Sequence, residues 1–384
     1  MKLTADWLHN PGTQALCHAL DVAGFHALFV GGCVRNGLLG LPTDDIDIAT
    51  DARPDRVIQI AEMAGLKAVP TGIDHGTVTV VADGLAHEVT TFRRDVETDG
   101  RRAVIAFAER VEEDAARRDF TMNALYADAT GQVIDPLGQG VADLRARRLR
   151  FIGDPHDRIR EDYLRILRFF RFHAHYADPD GGFDADGLAA CAELADGIDR
   201  LSRERIGHEM RRLLRAPDPA PAVAAMAQAG VLCHALPGAD PAPLPLLTHA
   251  EADLAVAPDP CRRLAAIGGT DPAEALRLSK GDARRVALLR EAVASTMDTG
   301  ELGYREGFAA ARDVLLLRVA LLHQPVAQSE LDAARTAEGL TLPVAPADLM
   351  ALGLSGPALG DRLREIERRW IASGFTLTRA DLLP

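Results

Sequence analysis

Lysine is nearly absent from this chain of 384 residues. Only Lys2, Lys67 and Lys280 are present among its 43 basic residues, and the rest are arginine. With abundant alanine, this is first a codon effect of a GC-rich genome. Cysteine is also sparse: Cys17, Cys33, Cys191, Cys233 and Cys261 stand far apart, with no CxxC pair. An odd, scattered set argues against a disulfide framework or a zinc site and for a reducing cytoplasm. No apolar run reaches ~18 residues, so no membrane span is expected. The opening MKLTADWLHN has no apolar h-region, so no secretory leader is expected. Internal repeats and heptad arrays are lacking as well.

What is present defines a globular chain. Hydrophobic residues make up 47% of it, too many for a disordered segment. The length suits two to four domains at ~100–200 residues each. The net charge is −13, yet residues 145–171 hold nine arginines against four acids, and residues 200–215 hold six arginines against Glu204 and Glu209. An acidic protein with a locally basic middle can still bind a polyanion there.

The first ~150 residues read as mixed α/β. An amphipathic helix over about 11–23 precedes an apolar strand at 27–30, which ends at Gly31 and Gly32. A short helix over 34–40 and a strand centred on 45–48 follow. Pro54 opens a helix as a favourable first-turn residue. Two β-rich runs, 77–82 and 86–92, are joined by Asp83-Gly84, a two-residue hairpin signal. Residues 94–111 are charged and poorly periodic and read as a mobile loop. From 154 onward the pattern is helical, with breaks at 178–182, 216–221 and 237–245, the second being the best later boundary.

Two constellations carry chemistry. In VGGCVRNGLLGLPTDDIDIAT (residues 30–50), period-2 alternation puts Asp45 and Asp47 on one strand face and Ile46 and Ile48 on the other. Two carboxylates on one face repel, and a divalent cation such as Mg²⁺ resolves that repulsion. Gly31 and Gly32 lie at a strand-to-helix turn whose N–H groups can hold a phosphate, with Arg35 one turn further on. Either feature alone is more often a solvated edge or an ordinary turn; their joint presence within 20 residues favours a site. Glu88 is a third acid, on one face with Thr90 and Phe92; it serves equally as a ligand, a base or an edge-strand charge.

The second constellation starts with RRDFTMNA (residues 117–124), where Asp119 is positioned to cap a helix over 120–125. Arg117 and Arg118 flank it, offering guanidinium forks that match phosphate oxygens. Asn123 can contact a ribose hydroxyl or a phosphate. By composition alone a capped surface helix with solvated arginines is the stronger reading. In the stretch 150–172, which holds a helix over 161–172, Tyr163, Ile166, Leu167 and Phe170 form an ordinary core face on a helical wheel. Asp162, Arg165, Arg168 and Arg171 step by three along the other side. Asp162 beside Arg165 offers an acceptor and a fork of donors, able to meet a base edge or simply each other.

Taken in order, VGGCVRNGLLG, DIDIAT, TGIDHGTVTV, EVTTFR, RRDFTMNAL, IDPLGQGVADL, IGDPHDRIREDYLRILRFFRF and LSRERIGHEM resemble the class II tRNA nucleotidyltransferase and bacterial poly(A) polymerase family, of the polymerase-β-like superfamily. The resemblance covers about 28–215, with a weaker echo in RLAAI and LRLSKGDARRV. It implies a mixed α/β nucleotidyltransferase head with a small β-sheet and flanking helices (1–150). A helical neck that recognises the base (151–215) and a helical body and tail that bind tRNA (216–384) would follow.

The same resemblance implies the residue roles. Asp45 and Asp47 would hold two Mg²⁺ ions, with Glu88 beside them in the catalytic set. Gly31, Gly32 and Arg35 would bind the triphosphate, and Arg118 and Asn123 the phosphate and sugar. Asp162 and Arg165 would read the base of CTP or ATP, supported by Arg168 and Arg171. Glu204 and Arg205 would brace the templating helix. Asn36 departs from the family, which usually has Asp after Val-Arg; the exchange keeps a hydrogen-bonding group and loses a charge.

The implied activity is CCA addition to the tRNA 3′ end by a cytoplasmic enzyme. The rivals are a poly(A) polymerase, a partial CC-adding or A-adding enzyme, and a catalytically inactive RNA-binding protein. Residues 51–90 lack the Gly–basic–basic–Phe stretch of the poly(A) branch, and Asp45 with Asp47 argues against inactivity. His-Asp occurs only at His156-Asp157, so no added phosphatase domain is expected after 216. Arg262, Arg263, Arg284 and Arg285 are candidates for touching RNA, with solvated surface the stronger reading of each.

Overall fold

The computed structural model describes the backbone of residues 1–43, 45–98 and 103–384 and, within these, every side chain except those of 74, 95–98 and 103–105. The chain forms two compact units, one of residues 1–213 with 225–235 and one of 214–224 with 236–384.

The first unit opens with helix α1 (Pro11–Val22), capped by Asn10 accepting from Thr13 N. Strand β1 (Leu28–Val30) runs into α2 (Gly32–Leu39), and β2 (Ile46–Thr50) into α3 (Pro54–Met63). Then come β3 (Lys67–Gly72), β4 (Thr77–Ala82) and β5 (Leu85–Thr91). Asp83 and Gly84 turn β4 into β5 with φ of 50° and 75°, as a two-residue hairpin of this twist requires. Two short strands, β8 (Tyr126–Ala127) and β9 (Val133–Ile134), complete a sheet of order β3-β4-β5-β2-β1-β8-β9. β2 and β5 are parallel neighbours, which sets Asp47 opposite Glu88. Ile46 and Ile48 are buried, and Asp45 and Asp47 take the opposite face.

The segment expected as a mobile loop over 94–111 is corrected by the fold. β6 (Arg93–Thr98) pairs antiparallel with β7 (Ala103–Phe107), and α4 (Val111–Ala116) follows. The AVIAF run of β7 is ordinary strand sequence; residues 99–102 lie outside the described residues. After α5 (Gly140–Arg145) come α6 (Pro155–Glu161) and α7 (Leu164–Tyr176), so the helix expected over 161–172 begins only at Leu164. Asp162 breaks them with extended backbone, and its carboxylate accepts from Leu164 N at 3.1 Å. A side chain that bonds its own backbone two residues on competes with helix. Phe120, Phe151, Phe169 and Phe172 stack at centroid distances of 4.9–6.3 Å beneath α7. α8 (Ala185–Glu193) and α9 (Arg203–Leu213) complete this helical part.

The second unit is helical among the described residues. Arg262 and Arg263 are fully buried in it, not solvated. Both bond Glu251, Arg262 also Asp313, and Arg263 the carbonyls of Leu214, Ala216 and Pro217. Arg285 closes the network on Asp313 and Asp259. No helix among the described residues is long and apolar enough to cross a membrane.

Candidate active site

The site is built around the carboxyl face of β2. Asp47 sits between Asp45 on its own chain and Glu88 on β5. Its carboxyl is pushed up to about 6, first by burial and then by the negative charge of Glu88, with Arg118 opposing and Asp45 adding to the rise. That is an acid pair short of positive charge. Among the described residues no three His, Cys, Asp or Glu side chains gather into a metal cage. Two carboxylates with open surroundings suit Mg²⁺, which keeps waters and takes one or two protein carboxylates plus phosphate oxygens.

β1 delivers the chain to Gly31, whose φ of 72° and ψ of −121° only glycine adopts without strain. The turn leads directly into α2. Arg35, one turn in, is 6% exposed, and four of its N–H bonds go to protein oxygens. Nε and Nη2 donate to Asn36 Oδ1 at 3.1 and 2.8 Å, Nη1 to Asn123 Oδ1 at 2.5 Å, and Nη2 to the Tyr176 hydroxyl at 2.8 Å. The guanidinium also lies 5.0 and 4.0 Å from the Phe172 and Tyr176 ring centroids.

Behind Gly31 stands Arg118, oriented by a residue the sequence did not single out. Asp114 of α4 is buried and accepts from Arg117, Arg118 and the Tyr126 hydroxyl, the last at 2.7 Å. Burial alone would raise its pKa; the two guanidinium groups outweigh that and hold it far below the carboxylate range. Arg118 spends Nε and Nη2 on these bonds. Its Nη1 lies 3.5 Å from where a Cβ on Gly31 would stand.

Asp119 does not cap a helix over 120–125. Residues Thr121–Asn123 form one 3₁₀ turn without a side-chain cap. Its carboxylate instead accepts from Phe120 N, Asn123 Nδ2 and the fork of Arg168. Arg168 overcomes the effect of burial and brings Asp119 down to about 2. Asn123 therefore bridges Asp119 to Arg35.

The neck arginines are likewise held. The side chains of Asp162 and Arg165 do not bond each other, although Arg165 N donates to Asp162 O at 2.9 Å. Asp162 accepts from Arg205 of α9 at 2.7 Å, and Arg165 donates to Glu161 and to the carbonyls of Arg158 and Arg117. Arg171 is buried against Glu209 of α9 at 2.5 Å.

Two cavities share Asp47, Arg118, Asp119 and Arg168. One, of about 500 Å³, is bounded by Gly31, Gly32, Arg35, Asp45, Asn123 and Arg171. The other, of about 450 Å³, is bounded by Glu88, Asp162, Arg165 and Arg205. All the expected site residues thus line one or other cavity. Asp114 and Tyr126 were the residues missed. The VEEDAA run carries three acids in succession, and nothing in their spacing says which turns inward.

Residues 27–150 match the poly A polymerase head domain, and residues 183–242 match the probable RNA and SrmB-binding site of polymerase A. Over 200 residues the chain is 44% identical to the CCA-adding enzyme of Streptococcus gordonii, covering 52% of this chain and 48% of that one. Over 208 residues it is 38% identical to the mitochondrial CCA tRNA nucleotidyltransferase 1 of Homo sapiens, covering 54% and 48%. The chain spans about half the length of the curated relatives it matches. The crystal structure of the Bacillus stearothermophilus CCA-adding enzyme in complex with CTP superimposes with a TM-score of 0.71 at 29% identity, over 94% of this chain and 92% of that one.

Proposed function

From these similarities we propose that the chain is a member of the class II tRNA nucleotidyltransferase and poly(A) polymerase family and a cytoplasmic CCA-adding enzyme. It extends the tRNA 3′ end with C, C and A from CTP and ATP and releases pyrophosphate. The observation that carries this reading is the position of Asp47. It joins the cavity of the Gly31–Gly32 turn to the cavity that holds Asp162 and Arg165. A triphosphate at the turn can therefore present its α-phosphate to the acid pair while its base reaches the neck.

Asp45 and Asp47 would hold Mg²⁺, with Glu88 adjoining; bound there, the ion supplies neutralisation of phosphate charge and a lowered pKa for the attacking hydroxyl. The side chains do the positioning. Arg118 presents Nη1 beside Gly31, and Arg35 sets a positive charge along the turn. Asn123, fixed from both sides by Arg35 and Asp119, offers its remaining amide hydrogen toward the sugar.

In the neck, Asp162 accepts and Arg165 donates. Cytosine offers an N4 donor beside N3, and adenine an N6 donor beside N1, so one pair satisfies both. Uracil and guanine present the reverse order and leave Asp162 facing an oxygen. A site of desolvated polar groups rejects such mismatches strongly. Residues 1–150 would then be the catalytic head, 151–215 the base-reading neck, and 216–384 the body and tail that bind the tRNA acceptor stem.

The test is incubation with tRNA ending before, within and after CC, with each labelled nucleotide in turn. Ordered addition of C, C and A followed by arrest is expected. A run of A, addition limited to C or to A, or no addition would replace this reading by a poly(A), a partial, or a binding-only protein.

A further inference from the structure

Arg35 differs from the ion-paired arginines of the site in what it touches. Arg117 and Arg118 pair with Asp114, Arg165 with Glu161, Arg168 with Asp119, Arg171 with Glu209 and Arg205 with Asp162. Arg35 is buried, more so than any of them except Arg171. Yet its hydrogen-bond partners are two amide oxygens and a phenol, and no carboxylate among the described residues lies within ion-pair distance of it. Burial lowers its pKa, and the Tyr176 phenol and the more distant Asp119 carboxylate offset that only in part. A buried charge without a directly paired counter-ion is costly, and such a cost persists where a ligand supplies the missing charge.

The residue that decides this is Asn36. Its Oδ1 accepts from both Nε and Nη2 of Arg35, the geometry in which a carboxylate would form an ion pair. Its Nδ2 donates to Pro42 O at 2.7 Å, which a carboxylate cannot do. Its main-chain carbonyl also accepts from Leu41 N at 2.9 Å. The amide thus orients the guanidinium without neutralising it, and it ties the end of α2 to the segment that leads into Asp45.

We propose that Asn36 is a charge-setting residue of the polyphosphate site: as a neutral acceptor it leaves the full charge of Arg35 to the anion bound at the Gly31–Gly32 turn. The inference rests on the nucleotide-binding reading above and adds to it which residue sets the affinity for the phosphate tail. Asn36→Asp places a counter-charge on Arg35 with almost no change of shape. Asn36→Ala removes both side-chain bonds and adds no charge.

The experiment measures binding of inorganic tripolyphosphate to the full chain by titration calorimetry, across a range of salt, for the wild type and both variants; thermal unfolding checks each fold. Asn36→Asp is expected to bind about tenfold more weakly, the order of one unit charge acting across a partly solvated site. Its log K should also fall less steeply with log salt. Asn36→Ala should stay within about threefold of the wild type, because its Arg35 remains uncompensated. Unchanged affinity in Asn36→Asp overturns the inference. So does an equal loss in both variants, which would make the Pro42 tether, and not charge, the cause. A wild type that does not bind tripolyphosphate at all overturns the nucleotide-binding reading itself, a result distinguishable from either of the others.

Discussion

Replacing Asp119 by Asn should show how much the central ion pair of the site contributes to the fold. Asp119 is buried, and Arg168 brings its carboxyl to about 2 from an ordinary 3.8. A depressed carboxyl stabilises the folded state above its unfolded pKa, and that contribution is lost as pH falls through the folded value. Nearly two pKa units correspond to about 2 kcal/mol at pH 7, absent by about pH 2. In Asp119→Asn, the oxygen can still accept from Phe120 N and Asn123, while the new amide hydrogens face the donors of Arg168. That mismatch adds about 1–3 kcal/mol that pH does not remove. The chain has two tryptophans, Trp7 in the first unit and Trp370 in the second, so a Trp370→Phe background isolates the signal of interest. Urea midpoints followed through Trp7 should place the variant about 3–5 kcal/mol below its parent at pH 7. The gap should narrow by about 1–2 kcal/mol as pH falls from 5 to 3. Equal midpoints at pH 7 would refute the ion pair's contribution. A gap independent of pH would refute the depressed carboxyl.

Other outcomes are equally specific. Asp45→Ala and Asp47→Ala should each lose nucleotide addition by several orders of magnitude with the unfolding midpoint unchanged; incorporation near the wild-type rate at saturating Mg²⁺ would rule out the acid pair as the metal site. Because the carboxyl of Asp47 lies at about 6, a proton competes with the cation below that pH. The Mg²⁺ concentration for half-maximal rate should therefore rise about fivefold from pH 6 to 5 and stay level above 7. Asp162→Ala or Arg165→Ala should slow CTP and ATP use and admit UTP and GTP; retained preference in both would reduce them to braces of the neck. Glu251→Gln leaves Arg262 and Arg263 buried without their shared counter-ion, so the second unit should lose about 3–5 kcal/mol, read through Trp370 in a Trp7→Phe background.

The head was legible because its chemistry follows local periodicity. Alternation alone places Asp45 and Asp47 opposite the buried Ile46 and Ile48, and Asp83-Gly84 fixes a hairpin. β3 escaped because Pro70 interrupts it; the strand survives as the sheet's edge, with a register shift between Val69 and Gly72 where a ladder bond is missing. β6 was hidden by charges, which a two-stranded ribbon tolerates on exposed faces. The break at Asp162 has neither Gly nor Pro, and depends on a side chain bonding its own backbone. The inward turn of Arg262 and Arg263 was out of reach for another reason. Residue type predicts exposure for arginine, and the partners that reverse it stand well away in the chain: Asp313, 51 residues on, for Arg262, and the carbonyls of Leu214, Ala216 and Pro217 for Arg263.

A net charge of −13 says little about such a site, because the acids do not lie where a solvated surface would put them. Asp114, Asp119, Glu161 and Glu209 are each joined to an arginine of the site. Left free, these guanidinium groups would repel one another and turn toward water in the absence of ligand. Each carboxylate fixes one edge of a guanidinium and leaves the rest of it along the cavity, as Asp114 does in sending Nη1 of Arg118 toward Gly31. The donors are then in place before the substrate arrives, and little reorganisation is needed when charge develops on the phosphate. The far-depressed carboxyl of Asp114 and the depressed carboxyl of Asp119 measure that arrangement from the acid side. Arg35 measures it from the other: unlike these paired cations it has neutral partners, and it lies beside the Gly31–Gly32 turn, the position proposed for the triphosphate.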